Sequence, residues 1–314
     1  MAKVLQTLLE FRKEYADALT WLTQLDVRVN NTRLSRYLSM MDDTIAREAQ
    51  GGTEHQSSPD FSSMIVEASE VIQIATLGTD LFTAQDTLTK LRKISKGPDV
   101  IQEAGDDPGR DYSFEFSTGA AAKQNGATVQ FSAEGGDVLL TDGLYPVECK
   151  RISSLKRVEQ RVRDGRDQLN THIDKGGPPG LIALDLSRPI RLEQGPINAA
   201  DDDDFMGQAV QQLHAYAHHH IHNERVYYAA ESSGVLGLVI RYVAVGIAGN
   251  RASVRRSIVW GLQLLHPDES MESRLATELA SAIRAGAQDQ VTDLEVYRST
   301  QRFNARPSKG KRSV

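Results

Sequence analysis

Three charged residues, Asp137, Glu148 and Lys150, lie in the stretch GDVLLTDGLYPVECKR, which covers residues 136–151. Carboxylate oxygens are ligands that a divalent metal ion such as Mg²⁺ prefers, and a bound metal can neutralise a phosphate and generate hydroxide near neutral pH. A lysine ammonium adds fixed positive charge where a transition state develops negative charge. A close cluster of these side-chain types would therefore suit the hydrolysis of a phosphodiester bond.

The apolar residues around these charges predict a β-hairpin. Residues 138–140 and 144–147 favour strands, and Asp142-Gly143 between them suits a two-residue turn with both central residues at positive φ. This turn fixes the register of the two strands. The resulting pairs are Thr141 with Leu144, Leu140 with Tyr145, Leu139 with Pro146, Val138 with Val147 and Asp137 with Glu148.

The predicted register gathers the charged side chains on one face. Directly opposed residues have Cβ atoms about 4.5–5.5 Å apart, so Asp137 and Glu148 should meet. Side chains two apart on a strand point the same way, which sends Glu148 and Lys150 to one face and Val147 and Cys149 to the other. The alternative is the solvated face of an ordinary sheet, but opposed like charges destabilise a sheet and disfavour that interpretation.

A helix carrying a further carboxylate is predicted before the hairpin, over about residues 109–125. Asp107 suits its N-cap, Pro108 its first position and Gly126 its end. Residues at spacings of three and four form one stripe: Tyr112, Glu115, Phe116, Gly119 and Ala122. Glu115 therefore falls among residues that should face the core, where it has a functional role or, alternatively, reaches water from the boundary.

The flanking segments predict two further strands and a second helix. ATVQFS (127–132) alternates as a strand before the hairpin, and LIALDLS (181–187) is typical of a buried, parallel strand. Residues 153–173 between them predict a helix. Its apolar side comprises Leu155, Val158, Val162, Leu169 and Ile173. The order is helix, three strands, helix, strand, which indicates an α/β fold.

This order, with Asp137, then Glu148-x-Lys150 on the next strand and Glu115 on the preceding helix, resembles the PD-(D/E)XK nuclease superfamily. That superfamily includes restriction endonucleases, Holliday-junction resolvases and recombination exonucleases. The resemblance covers about residues 107–187. It implies a restriction-endonuclease-like αβββαβ core with a mixed sheet, and a metal-dependent nuclease that hydrolyses nucleic acid, DNA above all, in repair, recombination or defence.

The resemblance also implies a role for each residue. Asp137 and Glu148 would bind a divalent metal, Mg²⁺ or Mn²⁺, and Lys150 would position and polarise the attacking water. Glu115 would be the helix carboxylate that assists the metal or its waters. In some branches a Gln on the following helix contributes, and Gln168 is the candidate here.

One departure from the family pattern is Gly136, which precedes Asp137 where the family's name has a proline. The alternative function is a non-catalytic module on a nuclease-like fold that binds DNA or a protein partner through its helical half. The intact set of Asp137, Glu148 and Lys150 favours the enzyme, since an inactive version would show itself by loss of the lysine or of a metal carboxylate.

Composition limits the class and the compartment. The chain has 314 residues, of which 40% are hydrophobic, so it has room for one large domain or two ordinary ones. No apolar stretch or signal pattern indicates a membrane or secretory route, and a soluble, cytoplasmic protein is expected. The single cysteine, Cys149, excludes an intramolecular disulfide and is expected to pack in the core as a small hydrophobe.

The net charge of −6 excludes a generally basic nucleic-acid binder, so any contact with DNA must be local. A basic stretch follows the charged cluster and comprises Lys150, Arg151, Lys156, Arg157, Arg161, Arg163 and Arg166. By charge alone it is a solvated helix face, balanced by Glu159, Asp164 and Asp167. Its position beside the expected metal site favours nucleic-acid contacts instead, through Arg151, Lys156, Arg157 and Arg161.

The remaining segments suggest three parts. Residues 1–95 predict a helical N-terminal module, which could contact DNA, form a homodimer or pack on the nuclease core. Residues 96–290 predict the nuclease-like domain, with a later helix and two long strands at 234–247 and 253–265 that could extend the sheet. Residues 295–314 predict a flexible basic tail.

A helix over about 202–222 offers two further candidate metal sites. The Asp run 201–204 at its start is explained more simply as complementing the helix dipole. His214, His218 and His222 recur every four residues, but the first and last lie about 12 Å apart along a straight helix and cannot share one ion. A pair with an outside ligand stays open, although histidines near a helix end also suit the dipole.

Overall fold

In a computed structural model, the chain folds into an α/β structure with helices on both faces of a mixed, open sheet. The residues described are 8–50, 59–82, 84–97, 107–131, 137–142, 144–248, 253–284 and 295–297.

Among the described residues, five α-helices precede the first strand, and helices and strands are mixed along the rest of the chain. The α-helices are α1 Leu8–Gln24, α2 Arg33–Glu48, α3 Pro59–Ala75, α4 Gln85–Lys93, α5 Pro108–Gln124, α6 Val158–Asp174, α7 Ser187–Gln194, α8 Asp202–His220, α9 Glu224–Ala230 and α10 Met271–Arg284. Short 3₁₀ turns lie at Asp80–Phe82 and Leu155–Arg157.

The sheet has the strand order β1-β2-β3-β4-β6-β7-β8, and β5 pairs with the far end of β6. The strands are β1 Val129–Phe131, β2 Val138–Leu140, β3 Tyr145–Arg151, β4 Gly180–Asp185, β5 Ile197–Ala199, β6 Val235–Ala248, β7 Ser253–Leu264 and β8 Glu295–Tyr297. The pairs β1–β2, β2–β3 and β6–β7 are antiparallel, whereas the pairs β3–β4, β4–β6, β5–β6 and β7–β8 are parallel.

The predicted order of helix, three strands, helix and strand is confirmed as α5, β1, β2, β3, α6 and β4. The α5 N-terminus forms as expected, because the Asp107 side chain accepts a hydrogen bond from the Arg110 amide and Pro108 follows it. Gly126 just past the helix has φ +83°, which a glycine adopts without strain. The two long C-terminal strands are also confirmed as β6 and β7.

The hairpin register is confirmed, and its predicted turn is confirmed in part, since the Leu144 amide donates to the Thr141 carbonyl at 3.2 Å. Val138 pairs with Val147 and Leu140 with Tyr145. Pairing stops there, because Thr141 has φ 55°, and its amide donates to the Thr128 carbonyl at 2.9 Å. Asp142 has the expected positive φ of 56°, and Gly143 lies outside the described residues.

Two hydrophobic clusters lie on opposite faces of the sheet. One contains side chains of α1, α2 and α3 together with Phe116 of α5 and Val147 of β3. The other contains Val162 and Leu169 of α6 with Ile182 of β4. Cys149, at 7% exposure, belongs to the first cluster, which confirms that it packs as a small hydrophobe. The N-terminal helices therefore pack on the sheet and α5, which is one of the three roles left open for them.

Several elements differ from the sequence prediction. The helical module predicted over residues 1–95 is interrupted between α3 and α4, where Gly78 has φ +79°. The predicted basic tail at 295–314 begins instead with strand β8, whose backbone pairs with Gly261–Gln263 along the open edge of β7. Residues 298–314 lie outside the described part. The short elements α7, β5 and α9 were not predicted, since segments of this length carry little periodic signal.

Within the described ranges, no helix combines the length and the apolar character needed to cross a membrane.

Candidate functional site

The three charged residues of the hairpin form one cluster. The Lys150 ammonium lies 2.8 Å from Glu148 Oε2 and 3.4 Å from Asp137 Oδ2. Glu148 and Lys150 therefore share a face of β3, as their spacing predicts. Glu148 is 2% exposed and Lys150 8%, whereas Asp137 is half-buried, so the solvated-face alternative is wrong for the two strand residues.

Asp137 reaches the cluster from the bend just before β2 rather than from within the strand ladder. Its Oδ2 atom accepts a hydrogen bond from the Cys149 amide at 2.8 Å. This bond fixes the carboxylate across the end of the β2–β3 pairing. The predicted strand pair between Asp137 and Glu148 is therefore wrong, but both carboxylates contact the Lys150 ammonium.

Glu115 joins the same site from α5. It is 3% exposed, so its predicted inward orientation is confirmed and the alternative of a carboxylate that reaches water is wrong. Its Oε1 atom lies 2.7 Å from the ammonium of Lys90 on α4. The pKa of Glu115 is raised to about 8, chiefly by burial and also by the negative charges of Asp137 and Glu148, while Lys90 opposes the shift. Glu115 therefore lies in the electrostatic field of the other two carboxylates.

Both lysines of the site remain charged at neutral pH. Burial by itself would lower the pKa of Lys150, but the negative charges of Asp137 and Glu148 outweigh it and raise that pKa. Burial by itself would also lower the pKa of Lys90, but the negative charge of Glu115 outweighs it and raises that pKa. Two ammonium groups consequently stand among three carboxyl groups in a largely buried space.

The cluster opens into a cavity of about 510 Å³ between α5 and α6. Its wall includes Glu115, Asp137, Lys150, Arg161 and Gln168. Gln168, predicted from the resemblance, is thus placed at the same cavity as the hairpin residues. Glu148 is not among the lining residues, but it contacts Lys150, which lines the cavity.

The four residues predicted to bind nucleic acid have different environments. Arg161 lines the cavity, Lys156 is exposed and Arg157 is half-buried. Arg151 also lines the cavity, but it is largely buried and forms ion pairs with Glu70 at 2.6 Å and Asp185 at 3.2 Å. Its charge is therefore balanced inside the fold, and Arg161 is the member of the group best placed to meet a ligand.

The described residues contain no group of three or more His, Cys, Asp or Glu side chains placed to hold a metal ion. In the hairpin site, the cations next to the carboxylates are the two lysine ammoniums.

The histidine stripe of α8 forms no metal site either, within the same described residues. His222 lies beyond the last helical residue, His220, and burial lowers its pKa to about 4. It is therefore neutral at neutral pH and adds no charge to complement the helix dipole, whereas His218, His219 and His220 lie in the last turn of α8, where the dipole interpretation expects histidines. At the N-terminus of α8, the helix-end interpretation of the Asp run is confirmed, because the Asp201 side chain caps the helix by accepting a hydrogen bond from the Asp204 amide at 2.9 Å.

Sequence reasoning missed the buried ionic network beneath the site. Glu70 on α3 binds both Arg151 of β3 and Arg241 of β6, the latter at 2.8 Å. Burial by itself would raise the pKa of Asp185, but the charges of Arg151 and Arg241 outweigh it and lower that pKa. The signal was present in part, because Glu67 and Glu70 interrupt the apolar run of α3 and Asp185 ends the apolar run of β4.

Lys90 is the second residue that sequence reasoning missed. It lies on an ordinary amphipathic helix, and nothing in the spacing of α4 sets it apart from Lys93 or Lys96. Its role in the site depends on how α4 packs against α5, which brings its ammonium to Glu115.

No protein-family model matches the chain, and neither a curated protein nor a solved structure is significantly similar to it. The fold and this site therefore stand on their own geometry.

Proposed function

We propose that this protein is a divalent-metal-dependent nuclease of the PD-(D/E)XK type that hydrolyses phosphodiester bonds, with DNA as its substrate. The observation that carries the proposal is the Lys150 ammonium shared by Asp137 and Glu148 at the wall of an open cavity. Glu148 and Lys150 lie on β3 and Asp137 lies in the bend just before β2, so all three belong to one hairpin and follow the order of the family resemblance.

The donor set fits a hard divalent cation in kind. Asp137, Glu148 and Glu115 offer carboxylate oxygens, which Mg²⁺ and Mn²⁺ prefer. The raised pKa of Glu115, about 8, reflects burial together with an excess of negative charge that a dication would relieve. When bound, a divalent metal would supply charge neutralisation at the phosphate and a water of lowered pKa.

Lys150 would act as a fixed hydrogen-bond donor in the proposed reaction. Because its pKa is raised, Lys150 stays protonated and can donate hydrogen bonds to a phosphate oxygen or to water, but cannot accept a proton. Its ammonium is held by two carboxylates, so its position is fixed before a substrate arrives. A preorganised charge of this kind stabilises developing negative charge without reorganisation. Arg161 would hold a neighbouring phosphate of the same strand.

A second candidate is a non-catalytic nucleic-acid-binding module on the same fold. The observation that favours it is that each of the three carboxyl groups already has a lysine ammonium within 3.4 Å, with Lys150 shared by two of them, so the chain's own cations lie where a metal ion would bind. Such a protein would bind nucleic acid at the cavity and leave it intact.

Incubation of the purified protein with linear, circular, single-stranded and branched DNA, and with RNA, tests the proposal in Mg²⁺, in Mn²⁺ and in EDTA. We expect cleavage of DNA that requires the metal and is abolished in Lys150→Ala. Lys175→Ala, which removes an exposed lysine after α6, is the matched control and should cleave normally.

Asp137→Asn is a second inactivating variant, and it keeps an oxygen for the Cys149 amide, so its fold should survive. Near-ultraviolet circular dichroism checks the fold of each variant. Binding without cleavage of any substrate would favour the non-catalytic module. Unchanged cleavage by folded Lys150→Ala would overturn the proposed site.

A further inference from the structure

An aromatic side chain lies beside the candidate site. Tyr112 is one helical turn before Glu115 on α5, and it lines the same cavity as Glu115 and Asp137. It is half-buried, so the ring is partly accessible from the cavity. The family resemblance assigns no role to this position.

Two lysines of α4 flank the Tyr112 ring. The Lys90 ammonium is 5.7 Å from the ring centroid and the Lys93 ammonium 5.4 Å. Lys90 also binds Glu115 at 2.7 Å, so its charge is partly balanced. Lys93 forms no salt bridge with any residue in the described ranges. The Tyr112 ring, which lines the cavity, therefore lies 5.4 Å from an ammonium that no carboxylate in the described ranges balances.

We propose that Tyr112 and Lys93 form a subsite for one nucleotide of a single-stranded stretch, with the base stacked on the Tyr112 ring and a phosphate on the Lys93 ammonium. This inference rests on the proposed function and names its substrate class. Proteins that bind single strands combine these two elements, since every base has a face that can stack and every nucleotide carries a phosphate.

The cavity favours one strand over a duplex. Its volume of about 510 Å³ is in the range of pockets that enclose a single small ligand. Its wall also carries Asp111, Asp164 and Asp167, whose negative charges would repel a second phosphate backbone. A single strand can place one phosphate near Lys93 and turn its base toward Tyr112, while a duplex keeps its bases stacked and its two backbones outside.

Lys90 links the subsite to the carboxylates. Its ammonium contacts both Glu115 and the Tyr112 ring, so a nucleotide stacked on Tyr112 would lie directly beside the group that is proposed to assist the metal. The phosphate adjoining that nucleotide is then the one presented to Lys150 and Asp137. The subsite would thus select which phosphodiester bond of a single strand is cleaved.

Fluorescence anisotropy in EDTA tests the subsite without cleavage, with a labelled oligothymidylate as the single strand and a mixed-sequence duplex of equal length. We expect wild type to bind the single strand more tightly than the duplex. Tyr112→Leu should lose at least about fivefold in single-strand affinity, since stacking on one aromatic ring is worth that much, whereas Tyr112→Phe should bind within about twofold of wild type. Lys93→Gln should lower the salt dependence of binding by about one phosphate contact.

Two variants serve as controls. Tyr228→Leu removes an exposed tyrosine of α9 that does not line the cavity, and Lys13→Gln removes an exposed lysine of α1. Both should bind as wild type does.

Each contrary result has a distinct meaning. Wild-type affinity in Tyr112→Leu, or an equal loss in Tyr112→Phe, would overturn the stacking subsite, while metal-dependent cleavage of DNA would leave the nuclease proposal standing. Preference for the duplex would overturn the substrate class. Failure of wild type to bind either nucleic acid, together with no cleavage, would overturn both proposals.

Discussion

Replacing Glu115 by Gln should change how the stability of the protein depends on pH. The pKa of Glu115 is raised from its ordinary value of 4.5 to about 8 in the folded protein, chiefly by burial. Between these values the folded state keeps a proton that the unfolded state has lost. The stability that this proton contributes is fully present below pH 4.5 and is lost as the pH rises through 8.

The size of the change in stability follows from how far the pKa of Glu115 is raised. Each pH unit below the folded pKa contributes about 1.4 kcal/mol, so the contribution is about 2.7 kcal/mol at pH 6 and close to zero at pH 9. Gln has no such proton. The free energy of unfolding of wild type minus that of Glu115→Gln should therefore fall by about 2.5 kcal/mol between pH 6 and pH 9.

Urea unfolding in EDTA at several pH values between these limits measures that difference. Glu159→Gln, which removes a carboxylate from the surface of α6, should differ from wild type by a constant amount. A wild-type minus Glu115→Gln difference that stays flat across the range would refute the reasoning, since Glu115 would then not hold a proton in the fold. With Mg²⁺ present, the gain of wild type should grow with pH, because the metal must displace that proton, and Glu115→Gln should show no such growth.

Two further predictions concern stability. In EDTA, the free energy of unfolding of Asp137→Asn should lie within about 1 kcal/mol of that of wild type, because the amide oxygen can still accept a hydrogen bond from the Cys149 amide. Saturating Mg²⁺ should stabilise wild type by about 2–3 kcal/mol and the variant much less. Equal stabilisation of both proteins by the metal would contradict this prediction. Glu67→Gln should lower the free energy of unfolding by about 3 kcal/mol or more, since Arg33 and Arg110 lose a buried partner. Asp42→Asn, at the exposed pair with Arg12, should lower it by less than about 1 kcal/mol. Similar losses in the two variants would show that burial is not the cause.

The hairpin could be predicted from the sequence because its determinants are local. The strands and turn residues lie within 16 positions, and a side-chain period of two fixes which residues share a face once the register is set. The same holds for α5, where Asp107, Pro108 and Gly126 mark the ends and the stripe through Glu115 marks the buried face. Even so, the positive φ of Thr141 was not predicted, because the Thr141 amide donates to the carbonyl of Thr128, which lies just before β1 and outside the hairpin.

The partners of the site residues could not be predicted, because they depend on packing between distant elements. Lys90 reaches Glu115 only when α4 lies against α5. Arg151 was interpreted as a surface contact for phosphate, yet β3 turns it toward Glu70, whose position is set by α3 packing on α5 and β6. Spacing along one element identifies a face, but it does not identify the side chains that another element presents to that face.

The ion pairs of Glu70 place a constraint on synthesis of the chain. Glu70 and Arg241 are separated by 171 positions, and Arg151 is 81 positions from Glu70. At about 5–20 residues per second, the ribosome would need roughly 10–30 s after making Glu70 to produce Arg241. During that interval α3 would carry a carboxylate that cannot yet be buried with its final partner. The N-terminal helices should therefore stay loosely packed on the nascent chain, and rare codons or a stall between α3 and β6 would prolong the exposure of their apolar faces.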